Sequence, residues 1–202
     1  SNGKTTSKEL IHAVLRKKYN AVATTGNLNN HIGVPLTLLS MKSKTEFGIV
    51  EMGANHHHEI ANLCKIAKPN YGYITNFGKA HLEGFGSVEG VITAKSELYD
   101  HLKASNGLLF LNLDDPIQQK QITYSNNFTF GNSSKADISI DYLNSSEKAE
   151  VTFDDKHIKS QLTGKYNAIN MAAAICIGKY FKVSIEGIQK AIQEYIPTNN
   201  RS

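Results

Sequence analysis

The sequence contains no tryptophan, two cysteines and two arginines, Arg16 and Arg201, so lysine supplies nearly all of its positive charge. Each shortage narrows the field. Cys64 and Cys176 show no C-x-x-C spacing, and both fall on apolar faces of predicted helices. That reads as buried free thiols in a reducing compartment, with a disulfide as the alternative. The net charge of +4 is modest and no basic run has aromatics interleaved, so no nucleic-acid partner is expected. No apolar run approaches the ~20 residues of a membrane-spanning helix, and no secretory leader is visible. A cytoplasmic protein without a membrane partner is expected. No repeat or low-complexity tract interrupts the chain, and 202 residues suffice for one sizeable core, or a core plus a small appendage.

What is present begins at the first residue. Ser1-Asn2-Gly3-Lys4-Thr5-Thr6 reads as the second half of a G-x-x-x-x-G-K-[ST] phosphate loop, with an amphipathic helix directly behind it. Gly3 lets backbone N–H groups approach an anion, Lys4 can reach the outer phosphates of a nucleotide, and the Thr5 hydroxyl can ligate Mg²⁺. The helix N-terminus adds its positive dipole end. The first glycine of such a loop, and the strand leading into it, are expected before Ser1. A G-K-T-T run at a helix start also arises by chance, so other features have to carry weight.

Leu10, Ile11, Val14 and Leu15 recur at helical spacing and predict a helix through about Lys18, and Ile60, Leu63, Cys64 and Ala67 form a second stripe, stopped by Pro69. Residues 46–52, 71–75 and 108–111 are short apolar runs of the kind buried strands show, with a helix predicted over 87–103 between the last two. Buried strands alternating with helices predict an α/β fold, a mostly parallel doubly wound sheet with helices on both faces. From about Phe128 to Leu162 the pattern changes to alternation, with a turn at Asp154-Asp155-Lys156, which predicts a small antiparallel sheet beside the main one. Helices over 167–181, rich in alanine, and 184–195, with Ser184 as N-cap but an incomplete capping box, close the chain.

Ligands of open parallel sheets bind at the strand ends. Glu51 ends one strand, where a carboxylate suits a Mg²⁺ ligand or a salt bridge to a surface lysine. His81 follows another in the glycine-flexed segment 75–81 and reads as a metal ligand, an anion contact or a solvated side chain. Lys95, on the helix over 87–103, taken alone is an ordinary helical lysine. His56-His57-His58 reads as a polar helix start, because consecutive imidazoles on a helix diverge. Residues 112–116 (NLDDP) read as a turn.

Together these segments resemble the ATP-binding central domain of the Mur ligases. The resemblance rests on residues 2–6 (NGKTT), 26–35 (GNLNNHIGVP), 51–55 (EMGAN), 76–87 (NFGKAHLEGFGS), 94–97 (AKSE) and 164–170 (GKYNAIN). It covers essentially all of residues 1–202, and within the family it points to the branch that adds D-Ala-D-Ala to UDP-MurNAc-tripeptide in peptidoglycan precursor synthesis. It implies ATP and two Mg²⁺ ions as cofactors. Asn2, Gly3, Lys4, Thr5 and Thr6 would hold the phosphates, with Thr5 on the first Mg²⁺, and Glu51 and His81 on the second. Lys95 would be carbamylated, and Lys4, His81 and Lys95 would serve catalysis. Asn167, Asn170 and Arg201 would contact the nucleotide, Arg201 more weakly because Asn199-Asn200 depart from the family's Pro-Gly. Asn27, Asn29 and Asn30 would face the UDP-linked substrate. A UDP-sugar-binding domain on the N-terminal side and a further C-terminal domain are expected outside this chain, which alone is expected to be monomeric and inactive. The alternatives are another Mur ligase, a folylpolyglutamate synthetase-like ligase, and a nucleotide-binding switch without ligase activity. The last has no use for Glu51, His81 and Lys95 together.

Overall fold

The computed structural model describes residues 3–78, 82–143 and 147–197. The first half alternates helix and strand: α1 (Lys4–Leu15), β1 (Ala21–Ala23), α2 (Gly33–Leu39), β2 (Phe47–Ile49), α3 (Glu59–Ala67), β3 (Tyr71–Tyr73), α4 (Leu82–Phe85), α5 (Val88–Ala104) and β4 (Leu108–Asn112). Then come α6 (Pro116–Gln119), a 3₁₀ turn (Lys120–Thr123), β5 (Asn127–Gly131), β6 (Ile138–Ser139), β7 (Asp141–Leu143), β8 (Lys148–Phe153), β9 (Lys156–Thr163), α7 (Tyr166–Tyr180) and α8 (Ile185–Glu194).

The strands form three sets. β1 and β2 pair in parallel, β3-β4-β5-β6 form a parallel sheet in that order, and β7-β8-β9 are antiparallel. β4 is buried at all of its positions, as an apolar strand covered on both faces must be. Its side chains alternate between two cores. Leu108 and Phe110 belong to the core that α1, α7 and α8 also enter, while Leu109 and Leu111 belong to the one that holds Tyr99 and Leu102 of α5. Helices therefore cover both faces, as expected.

Helix α7 explains why one core is shared by the parallel and antiparallel parts. It is apolar all round, with Met171 to Cys176 each fully shielded from solvent, and it packs against α1, β4, β5 and β8. Ala149, Val151, Phe153, Ile158 and Leu162 of the antiparallel sheet close over it. Leu10 and Val14 of α1 enter the same core fully buried, so each contributes about 1.5–3 kcal/mol of transfer free energy and fixes α1 against α7. This contact sets where Gly3 and the first turn of α1 sit.

Two boundaries differ from the sequence reading. The antiparallel sheet begins at Asp141, not near Phe128, because β5 and β6 join the parallel sheet. The alternation Phe128-Thr129-Phe130 resembled a half-solvated strand, but Thr129 is buried. Its N–H and hydroxyl both donate to the Asp137 carboxylate, at 2.8 and 2.7 Å. Asp154 and Asp155 do form the tight turn, both at positive φ, between β8 and β9. The second difference is that the parallel strands form two sets. β2 and β3 are not hydrogen-bonded to each other, and an apolar cleft of about 460 Å³ lies between residues 47–52 and 69–75. Among the described residues no helix is long and apolar enough to cross a membrane.

Candidate nucleotide and metal site

Gly3 precedes α1 in the left-handed region at φ 84°, and a Cβ there would come within 2.8 Å of Asn170 Oδ1. Only glycine fits both constraints. Asn170 is itself fixed. Its Oδ1 accepts from Ser7 Oγ at 3.0 Å, its Nδ2 donates to Asn167 Oδ1 at 2.8 Å, and Asn167 Nδ2 donates to Thr163 O at 2.7 Å. Both asparagines are buried, so in this arrangement they form a polar chain running from the end of β9 to the first turn of α1. Thr6 lies half-buried on that same turn.

Glu51 follows β2 by two residues and is 6% exposed. Its N–H donates to Thr24 Oγ1 at 2.9 Å, a hydroxyl just past β1, which aligns the two strand ends. Oε1 accepts from Asn29 Nδ2 at 2.8 Å and, more weakly, from Thr5 Oγ1 at 3.4 Å. Oε2 is buried with no hydrogen-bond partner among the described residues, and Lys8 Nζ stands 3.8 Å away. A buried carboxylate oxygen left unsatisfied, beside a phosphate-loop hydroxyl, is a hard-oxygen donor set of the type Mg²⁺ takes. The residues present fit that ion.

Lys95, on α5, faces the same cleft as Lys4, Lys8 and Glu51. Its Nζ donates to Asn76 O at 2.9 Å and lies 5.9 Å from the centre of the Phe77 ring. Burial, aided by the nearby Lys4 charge, lowers its pKa to about 8. Two residues on, Glu97 accepts the N–H groups of His58 and Ala61 at 2.7 and 2.9 Å, which seats α5 on the start of α3.

The lowered pKa has a consequence for stability. The unfolded chain, with the ordinary value of 10.5, binds more protons than the folded one between about pH 8 and 10.5. The cost of burying the charged amine is fully present below about pH 8 and disappears as pH rises through that window. Lys95→Met should therefore raise the melting temperature at pH 7, and the gain should vanish by pH 10.5. Thermal melts across that range check it.

Lys4, Thr5, Glu51 and Lys95 thus meet at one end of the parallel strands. Asn2, His81 and Arg201 lie outside the described residues. The asparagine loop divides in a way the sequence did not indicate. Asn27 is exposed, and Asn30 Oδ1 accepts the N–H groups of Ile32 and Gly33 at the start of α2. Asn29 instead reaches Glu51. Lys8 escaped the sequence reading, although it lies one helical turn beyond Lys4 and so on the same face of α1. The three histidines sit in the turn before α3 rather than in it, with His58 at φ 66°. His56 faces Glu59 and His58 faces Glu97, and no cluster of metal-binding side chains occurs among the described residues. Both cysteines are buried and free, and burial pushes the Cys64 thiol up to about 12.

Residues 1–178 match the Mur ligase middle domain. Over 196 residues, 95% of this chain, the sequence is 38% identical to the UDP-N-acetylmuramoyl-tripeptide–D-alanyl-D-alanine ligase of Bacillus subtilis, of which it covers 42%. A crystal structure of MurF from Acinetobacter baumannii superposes on all of the chain with a TM-score of 0.85 at 30% identity, over 46% of its own length. MurF from Thermotoga maritima, solved in complex with ADP, superposes on 98% of the chain with a TM-score of 0.80 at 31% identity, over 47% of its length. The chain spans less than half the length of these relatives. It belongs to the Mur ligase middle domain family.

Proposed function

We propose that this chain is the nucleotide-binding part of an ATP-dependent ligase that joins D-Ala-D-Ala to UDP-MurNAc-tripeptide. The observation that carries the reading is the convergence of Lys4, Glu51 and Lys95 on one cleft at the strand ends, with the Thr5 hydroxyl bonded to Glu51. In the proposed reaction a carboxylate oxygen of the tripeptide attacks the γ-phosphorus of ATP and ADP leaves, giving an acyl phosphate. The amine of D-Ala-D-Ala then attacks the acyl carbon, loses a proton, and phosphate departs. Each step moves negative charge between oxygens, so the protein's contribution is positioning and charge balance rather than a covalent nucleophile.

Gly3 and the start of α1 offer N–H groups to the phosphates, and Lys4 neutralises the outer ones. Thr5 would hold one Mg²⁺, and Glu51 with His81 a second. When bound, the two ions would supply charge neutralisation across the phosphate oxygens. Lys95, with an amine partly neutral near pH 7, would take up CO₂ as a carbamate. A UDP-sugar domain and a closing C-terminal domain, contributed by further polypeptide, complete the proposed site, and this chain by itself should not turn over.

The full-length enzyme should release ADP in step with amide formation when given UDP-MurNAc-tripeptide and D-Ala-D-Ala. It should release none with UDP-MurNAc plus L-alanine, or with a folate plus glutamate. Preference for either of those pairs would overturn the assignment.

A further inference from the structure

Glu51 is held by two residues outside the phosphate loop. Asn29 is fixed from three sides. Its N–H donates to Asn27 O at 2.7 Å, its carbonyl accepts from Gly53 N at 2.8 Å, and its amide packs against Gly53 so closely that a Cβ there would lie 2.9 Å from Oδ1. From that fixed position Nδ2 donates to Glu51 Oε1. Lys8 is 5% exposed, an unusual burial for a lysine, and its Nζ donates to Gly26 O at 3.2 Å while standing 3.8 Å from Glu51 Oε2 and 3.9 Å from Glu9 Oε1. One carboxylate oxygen is thus occupied by fixed donors. The other has a neighbouring positive charge but no hydrogen bond from the described residues.

We propose that Asn29 and Lys8 are positioning residues for the metal-binding carboxylate, Asn29 pinning Oε1 so that Oε2 is presented, and Lys8 acting as a resident counter-cation that a divalent ion must out-compete. This rests on the reading of Glu51 as a metal ligand. It gives Asn29 a different task from contact with the UDP-linked substrate. The two residues should have opposite effects. Without Asn29 the carboxylate is free to rotate, and loss of such an orienting partner weakens metal binding, typically by about tenfold or more. Without Lys8 the competing charge is gone, so a divalent ion should bind more tightly. In metal-free buffer the buried carboxylate is then left uncompensated and the fold is weakened.

The test is direct binding of Mn²⁺ to this chain without nucleotide, read by the electron paramagnetic resonance of free Mn²⁺, with melts in EDTA and in saturating Mn²⁺. Asn29→Ala should bind about tenfold more weakly than wild type, and Lys8→Met several-fold more tightly. Lys8→Met should also melt lower than wild type in EDTA and gain more from Mn²⁺ than wild type does. Wild-type binding with unchanged affinity in both variants would overturn the positioning roles and leave the metal reading standing. No binding by wild type would overturn both. If Asn29→Ala fails to fold by circular dichroism, Lys8→Met decides alone, and unchanged or weaker binding there contradicts the proposal.

Discussion

Lys95→Ala in the full-length enzyme should nearly abolish ligation, and added short-chain carboxylates should restore part of it. The side chain is half-buried, is held by the Asn76 carbonyl, and has a pKa lowered to about 8 by burial and the Lys4 charge. At pH 7 about a tenth of such an amine is neutral, against roughly one in 3,000 for a lysine at the ordinary value. Only the neutral amine adds to CO₂, forming the N–C bond of a carbamate and releasing a proton. The product is an anion, which is why a carboxylate from solution can replace it and an added amine cannot. A lysine serving only as a surface ion-pair partner would cost about 1 kcal/mol on removal, roughly fivefold, with no response to carboxylate. Near-normal turnover of Lys95→Ala, measured as ADP release, would remove the carbamate from the account.

Lys4→Met should lower kcat by about 10²–10³, the usual cost of removing one preorganised charge from a phosphoryl-transfer site. A second effect follows from the electrostatics. The Lys4 charge contributes to the lowered pKa of Lys95, after burial. Removing it should raise that pKa, so the CO₂ needed for half-maximal activity should increase and the acidic limb of the pH profile should move to higher pH. A mere loss of phosphate binding would raise KM for ATP and leave the CO₂ requirement unchanged, so measuring both separates the two effects.

The elements the sequence made legible are those with long periodic signals. Helices α3, α5, α7 and α8, the buried strand β4 and the Asp154-Asp155 turn stand where their patterns placed them, within a residue or two at the ends, while α1 stops at Leu15, short of the expected end near Lys18. Strand β1 and helix α2 were missed because three residues, or seven, are too short to set up a period. Thr129 shows a second limit: a polar side chain satisfied by a buried carboxylate looks in sequence like one facing water. The site follows the same division. Lys4, Thr5 and Glu51 were visible because strand-end and helix-start positions constrain them. Lys8 was not, since a lysine on a helix reads as solvated, and Asn29 was expected at the UDP-linked substrate rather than on Glu51. What distinguishes them is the burial of Lys8, the bond from Asn29 to Glu51 and an unsatisfied oxygen on Glu51, all products of tertiary packing.

The most direct measurement follows an oxygen atom. With both oxygens of the terminal tripeptide carboxylate labelled with ¹⁸O, attack on ATP carries one of them onto phosphorus, and collapse of the acyl phosphate releases it there. The account predicts that the phosphate formed by the full-length enzyme contains one ¹⁸O per amide bond made, with the other retained in the product. Phosphate free of label would contradict it.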